Sequence, residues 1–150
     1  MILDKQNTLA EAQSIATTAE DVTYNIGDVI DLAVAGRNIA AGDNPYVLVR
    51  IDTAVTSTAA TTVDFKLVGS ASATISTTGG ATELWSSGAI AKATLAANYQ
   101  VDHFKLPKTS LRYLGFQVRC GTHKADAGKA DCFITLQPKE HTIYKGNRGA

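Results

Sequence analysis

The chain has 150 residues and carries 14 acidic and 14 basic side chains, so its formal net charge is zero. A zero net charge excludes a global electrostatic field that would attract nucleic acid or an anionic membrane. Hydrophobic residues make up 45% of the sequence but aromatic residues only 7%, which predicts one domain with a core of Ala, Val, Ile and Leu. Abundant Thr, Ser and Gly, with charged residues at 19%, favour strands and turns and exclude an all-helical fold.

Residues 1–27 are predicted to form an extended N-terminal arm. Leu9, Ala12 and Ile15 follow one another at spacings of three, which fits one or two turns of helix. The segment has too little apolar surface to fold by itself, so we expect it to pack on another surface. Residues 1–36 hold six carboxylates and one cation. Two interpretations follow: ordinary solvated charges, or an acidic arm that docks on a basic neighbour.

Residues 28–136 are predicted to form the folded domain, and residues 137–150 a polar tail. The clearest strand is 46–53, in which Val47, Val49 and Ile51 share one face. The segment 61–69 repeats this alternation and is expected to be its antiparallel neighbour, whereas 70–80 is expected to be a long exposed loop.

Further strands are predicted at 29–35, 83–86, 100–106, 112–120 and 128–136. The last two are expected to pair directly as a hairpin, with Phe116 facing Cys132. Seven or eight strands without βαβ alternation predict an all-β fold, a single jelly-roll-like antiparallel β-sandwich.

The residues that could carry chemistry are scattered along the sequence. Asp102 and His103 are adjacent in a predicted strand and therefore point to opposite faces. The three histidines share no metal-site spacing, and Cys120 and Cys132 are expected to stay reduced in the core. We therefore expect no enzymatic activity, no cofactor and no metal.

The sequence also bears on localisation and on one alternative function. No run approaches the 18 apolar residues of a membrane span, and MILDK lacks the charge order of a signal peptide, so we expect a cytosolic product without a membrane partner. Trp85 is either a core residue or an exposed platform for sugar rings. The second case would make the chain a carbohydrate-binding β-sandwich module on a virion or a secreted protein.

Four stretches of the chain resemble the capsid cement, or decoration, proteins of tailed bacteriophages: MILDKQNTLAEAQSIA, NPYVLVRIDTAV, LWSSGAIAKATLAANYQVDHFKLP and RYLGFQVRCGT. The similarity runs from Met1 to about Leu136, and none of the stretches is a catalytic signature. The resemblance implies a jelly-roll domain that is made in the host cytoplasm and binds the outer surface of the assembled head. It also implies that the protein is a homodimer or a homotrimer. Its partner would be the major capsid protein, whose neighbouring capsomers it would bridge.

The capsid contact is expected in the N-terminal arm, which would gain order on docking. The expected contact residues are Ile2, Leu3, Asp4, Leu9 and Ile15. On this hypothesis, removing residues 1–15 leaves a folded domain that no longer binds capsids.

Overall fold

The computed structural model describes residues 7–32 and 45–135, which form two packed antiparallel sheets. No α-helix occurs in these two ranges, and a short 3-10 turn spans Lys92–Thr94. The all-β prediction is therefore confirmed. The strands are β1 (Thr8–Ser14), β2 (Thr23–Asp31), β3 (Tyr46–Thr56), β4 (Thr62–Ser70), β5 (Thr82–Ser86), β6 (Ile90–Ala91), β7 (Gln100–Lys105), β8 (Tyr113–Cys120) and β9 (Ala127–Thr135).

The strand order is that of a jelly roll. Sheet A has the order β1-β9-β3-β7, and sheet B has the order β2-β8-β4-β5, with the short β6 also paired to β4. Along the chain, every strand lies in a different sheet from the one before it, except β5 and β6, which follow β4 in sheet B. A four-stranded and a five-stranded sheet connected in this way enclose one core, and the predicted jelly-roll sandwich is confirmed.

The core lies between the sheets and is built from alternate residues of each strand. Val47, Val49 and Ile51 of β3 are fully buried, as the sequence pattern predicts. From sheet B, the rings of Phe65 and Phe116 stack with their centroids 5.9 Å apart. Since successive side chains of a strand point to opposite faces, the residues between these positions form the outer faces.

The N-terminal segment differs from the predicted arm. β1 pairs with β9, and β2 pairs with β8, so residues 8–14 and 23–31 belong to the two sheets. Leu9 and Ile15 are both 0% exposed and are members of the core cluster. The described part of 1–27 is therefore integral to the sandwich, while residues 1–6 and 136–150 lie outside the described residues.

Leu9, Ala12 and Ile15, whose spacing of three fitted a helix, belong to a bulged strand and the residue that follows it. The pairing of β1 with β9 shifts register between Ala10 and Gln13. Within this bulge Ala12 has a positive φ of 46° and is exposed, so it is not part of an apolar helix face. A second register shift lies between Thr8 and Ala10. Because each bulge offsets the alternation by one residue, the two offsets cancel, and Leu9 and Ile15, six residues apart, reach the same core.

Two predicted strand pairings are wrong. β3 and β4 lie in different sheets, and so do β8 and β9. Phe116 is paired with Leu67 and Ile26 in sheet B, and Cys132 is paired with Val49 in sheet A. Direct hairpins and cross-sheet connections bury the same alternating residues, so the apolar pattern alone does not separate them.

The connection between β4 and β5, residues 71–81, folds over the outer face of sheet B, and we call it the strap. Its Ile75 side chain is buried over Gly115 of β8. A Cβ atom at Gly115 would lie 2.3 Å from Ile75 Cδ1, so the absence of a side chain there lets the strap approach the sheet. The prediction of an exposed loop at one end of the sandwich is therefore wrong for the part around Ile75.

Hydrogen bonds hold the backbone of the strap in place. Asn25 Nδ2 donates to the carbonyl oxygen of Ile75 at 2.7 Å. Gln117 Nε2 donates to the carbonyl oxygen of Ser76 at 3.0 Å and to Asn25 Oδ1 at 2.8 Å. Because Gln117 is buried, these bonds replace the water that its amide would otherwise bind.

Leu9→Ala should destabilise the domain by about 2–5 kcal/mol, because it removes buried methyl groups from a packed core. The matched control is Val22→Ala, at a position with 41% exposure, which should change the free energy of unfolding by less than about 0.5 kcal/mol. Urea denaturation measures both. Equal effects of the two substitutions would contradict the placement of β1.

Deletion of residues 1–15 should abolish folding instead of leaving an intact domain, because it removes β1 from sheet A.

Gly115→Ala should cost about 1–3 kcal/mol, because the new methyl group overlaps Ile75 Cδ1. In an Ile75→Ala background the overlap is gone, so the same substitution should cost clearly less. Denaturation of the four proteins of this double-mutant cycle gives the coupling energy. An identical cost in both backgrounds would show that the strap does not rest on Gly115.

Candidate interaction surface

The outer face of sheet B is occupied by internal contacts beyond the strap. Lys66 Nζ lies 2.7 Å from Glu83 Oε2 and 3.6 Å from Asp64 Oδ2. Its hydrogen bond to Glu83 raises the pKa of Lys66, since the carboxylate stabilises the ammonium form. Ser86 Oγ also donates to Asp64 at 2.7 Å. These side chains are therefore engaged with one another within the chain.

The outer face of sheet A is organised around a buried carboxylate, Asp131 of β9. Arg50 lies opposite it on β3, and Arg50 Nε donates to Asp131 Oδ2 at 2.7 Å. The backbone N–H of Ala12 donates to Asp131 Oδ1, also at 2.7 Å. Asp131 is only 5% exposed, and a carboxylate so placed requires partners for both oxygens. It thereby joins β1, β9 and β3.

A cavity of about 170 Å³ opens beside this ion pair, and we call it the sheet A pocket. Ala10 and Phe133, both buried, give it an apolar part. Its charged lining consists of three carboxylates and one guanidinium, which gives a formal charge of −2. The lining residues are Thr8, Ala10, Glu11, Ala12, Arg50, Asp52, Asp131 and Phe133.

Almost all strand residues of both sheets and most of the pocket residues lie within a match to a known family. A family model named Bbp16 matches residues 9–134, a range that extends from β1 to β9. The chain belongs to the Bbp16 family. No curated protein matches the chain.

The structure separates the expected contact residues of this Bbp16-family domain into two groups. Leu9 and Ile15 are buried between the sheets, so the folded domain cannot present them to a partner. Ile2, Leu3 and Asp4 lie outside the described residues. The expectation of a contact through all five residues is therefore wrong for Leu9 and Ile15.

The sheet A pocket was missed by the sequence analysis. Of its four charged lining residues, Glu11 lies in the N-terminal segment where a contact was expected, whereas Arg50, Asp52 and Asp131 come from β3 and β9. The available signal was the presence of charges at alternate positions of otherwise apolar strands. That signal does not reveal which strands are neighbours, and the pocket depends on the pairing of β9 with both β1 and β3.

The acidic N-terminal region finds its basic neighbours within the same chain. Arg119 pairs with Asp21, and Arg112 Nη2 lies 2.8 Å from Asp31 Oδ2. A third pair joins His123 to Glu20 at 3.2 Å. All three pairs are exposed and add little stability individually. The two arginines offset Asp31 and Asp21, and His123 offsets Glu20 only when its ring is protonated.

Trp85 closes one edge of the sandwich between β5 and β7. Its ring stacks on Phe104, with 4.3 Å between the centroids, and its indole Nε1 donates to Asp102 at 3.1 Å. The side chain is partly buried against the core. One ring face and the N–H group are therefore engaged within the domain, an arrangement that does not favour the sugar-platform interpretation.

Asp102 and His103, the adjacent pair in the sequence, make local contacts. The His103 ring contacts Gln100 at 3.0 Å, and its backbone N–H donates to Asp102. In residues 7–32 and 45–135, no three His, Cys, Asp or Glu side chains are grouped so that they could hold a metal ion. The same ranges contain no helix long and apolar enough to span a bilayer.

The two cysteines are free and fully buried, in agreement with the prediction of core thiols. Burial raises the pKa of Cys132 well above its usual value, because the thiolate would lose its hydration.

We expect the native protein to leave both thiols unreacted with a chromogenic thiol reagent at pH 8 and at pH 9. An exposed cysteine would be largely ionised at the higher pH, because its pKa is about 8.5. Unfolding in guanidinium should release two reactive thiols per chain. Fast labelling of one thiol in the native protein would contradict the described burial.

Proposed function

We propose that this Bbp16-family protein is a structural virion protein that binds the outer surface of a phage head and cements neighbouring capsomers of the major capsid protein. One observation carries the proposal. The stretches that resemble cement proteins fall in β1, in β3, in β5 to β7 and in β8. The resemblance thus belongs to both sheets of the jelly roll and not to a single motif.

The mechanism that we propose is multivalent binding by a rigid domain. A sandwich with one continuous core loses little conformational freedom when it docks. Each copy need contribute only a modest interface if many copies, as homodimers or homotrimers on symmetry axes, hold the same lattice. The proposal includes no catalytic step, cofactor, nucleic acid or membrane partner.

Because Leu9 and Ile15 are buried, we move the proposed contact from these two side chains to the outer face of the sheet that β1 joins. The strap and the ion pairs of Lys66 with Asp64 and Glu83 occupy much of the outer face of sheet B. The outer face of sheet A carries the pocket and exposed polar side chains, Arg50 and Asp52 among them. We therefore place the capsid contact on sheet A.

The test is to mix purified protein with heads that lack it and to follow co-sedimentation and electron microscopy. We expect saturable binding, with added density on the outer surface between capsomers and a higher temperature of head disruption. Unassembled capsid protein is the control, and it should bind more weakly because it offers fewer simultaneous contacts. No co-sedimentation at saturating protein, or density inside the shell, would contradict the proposal.

A further inference from the structure

We infer that the sheet A pocket receives a basic side chain, Lys or Arg, from the protein on which the domain docks. The inference rests on the proposed function and deepens it, since the docking partner would be the major capsid protein. Three properties of the pocket support this occupant: its built geometry, its charge and its apolar part.

The pocket is formed by groups that are already held in place. Asp131 binds the backbone of β1 through Ala12 and the side chain of β3 through Arg50. Ala12 directly follows Glu11, so the same hydrogen bond fixes the backbone from which the Glu11 side chain extends. Thr53 Oγ1 donates to Asp52 Oδ2 at 3.0 Å, which orients the other carboxylate. A site ordered in advance loses less entropy when a ligand binds.

The charge of the pocket selects a cation. Both oxygens of Asp131 already accept hydrogen bonds, so Arg50 is offset by Asp131. Glu11 and Asp52 then supply the negative potential that an incoming group meets. Both residues are exposed and can form charge-assisted hydrogen bonds to an ammonium or a guanidinium group. A carboxylate from a partner would meet like charges and be repelled.

The apolar part of the pocket matches the stem of a long basic side chain. Ala10 and Phe133 line the cavity together with the carboxylates. Lys and Arg lay their methylene groups along apolar surface while the charged head stays among polar groups. A bare metal ion would gain nothing from this lining, whereas a Lys or Arg side chain uses both parts.

The test compares Glu11→Gln and Asp52→Asn with the control Glu83→Gln, using purified heads that lack the protein as the probe. Glu83 lies on β5 of sheet B and is half exposed, so the control removes the same unit of charge from the other sheet. Binding of each variant is measured by co-sedimentation at about 0.05 M and 0.5 M salt. Thermal unfolding checks that every variant is folded.

We expect each pocket variant to bind about 3- to 10-fold more weakly at low salt, and the double variant more than about 10-fold more weakly. Glu83→Gln should bind like the parent. The differences should shrink at high salt because screening shortens the range of the interaction. The parent's own affinity should also fall with salt, and this measurement does not depend on any variant.

The outcomes separate the inference from the proposed function. If the parent binds heads and the pocket variants bind equally well, the pocket inference is overturned and the cement function stands. The same holds if Glu83→Gln weakens binding as much as the pocket variants do. If the parent does not bind heads, the proposed function fails, and the inference that depends on it fails too.

Discussion

The structure depends on the insertion of β9 between β1 and β3. This pairing joins the last described strand to the first and the third, and Gly128 of β9 approaches so closely that a Cβ atom there would lie 3.0 Å from the Ile15 side chain. Sheet A therefore cannot form until almost the whole chain is present. Such non-local pairing is slow to form but makes the N-terminal segment part of the core.

The two faces of β9 link the core to the surface. Ala130 and Cys132 point into the sandwich and are fully buried, whereas Asp131 and Phe133 contribute to the outer pocket. A slip of one residue in the register of β9 would exchange these two sets. The packing that stabilises the domain thus also determines where the pocket carboxylate lies, and the Ala12 bulge is held by that same carboxylate.

The two outer faces differ in how far contacts within the chain cover them. On sheet B the strap fills the space above Gly115, and the Lys66 cation is shared between Asp64 and Glu83. On sheet A, an open cavity lined by three carboxylates and one guanidinium remains beside Arg50. This asymmetry is the reason that we assign the proposed capsid contact to sheet A.

The apolar pattern predicted the fold class, the positions of most strands and the buried faces of strands such as 46–53, because alternation of apolar residues follows from strand geometry alone. It also determined that Cys120 and Cys132 would be core thiols. The three-dimensional fold was needed to find the strand neighbours, the place of Leu9 and Ile15 in the core, and the assembly of Glu11, Arg50 and Asp131 into one pocket. Alternation specifies which face of a strand is buried, but hairpins and cross-sheet connections satisfy it equally, so pairing depends on contacts between residues far apart in the chain.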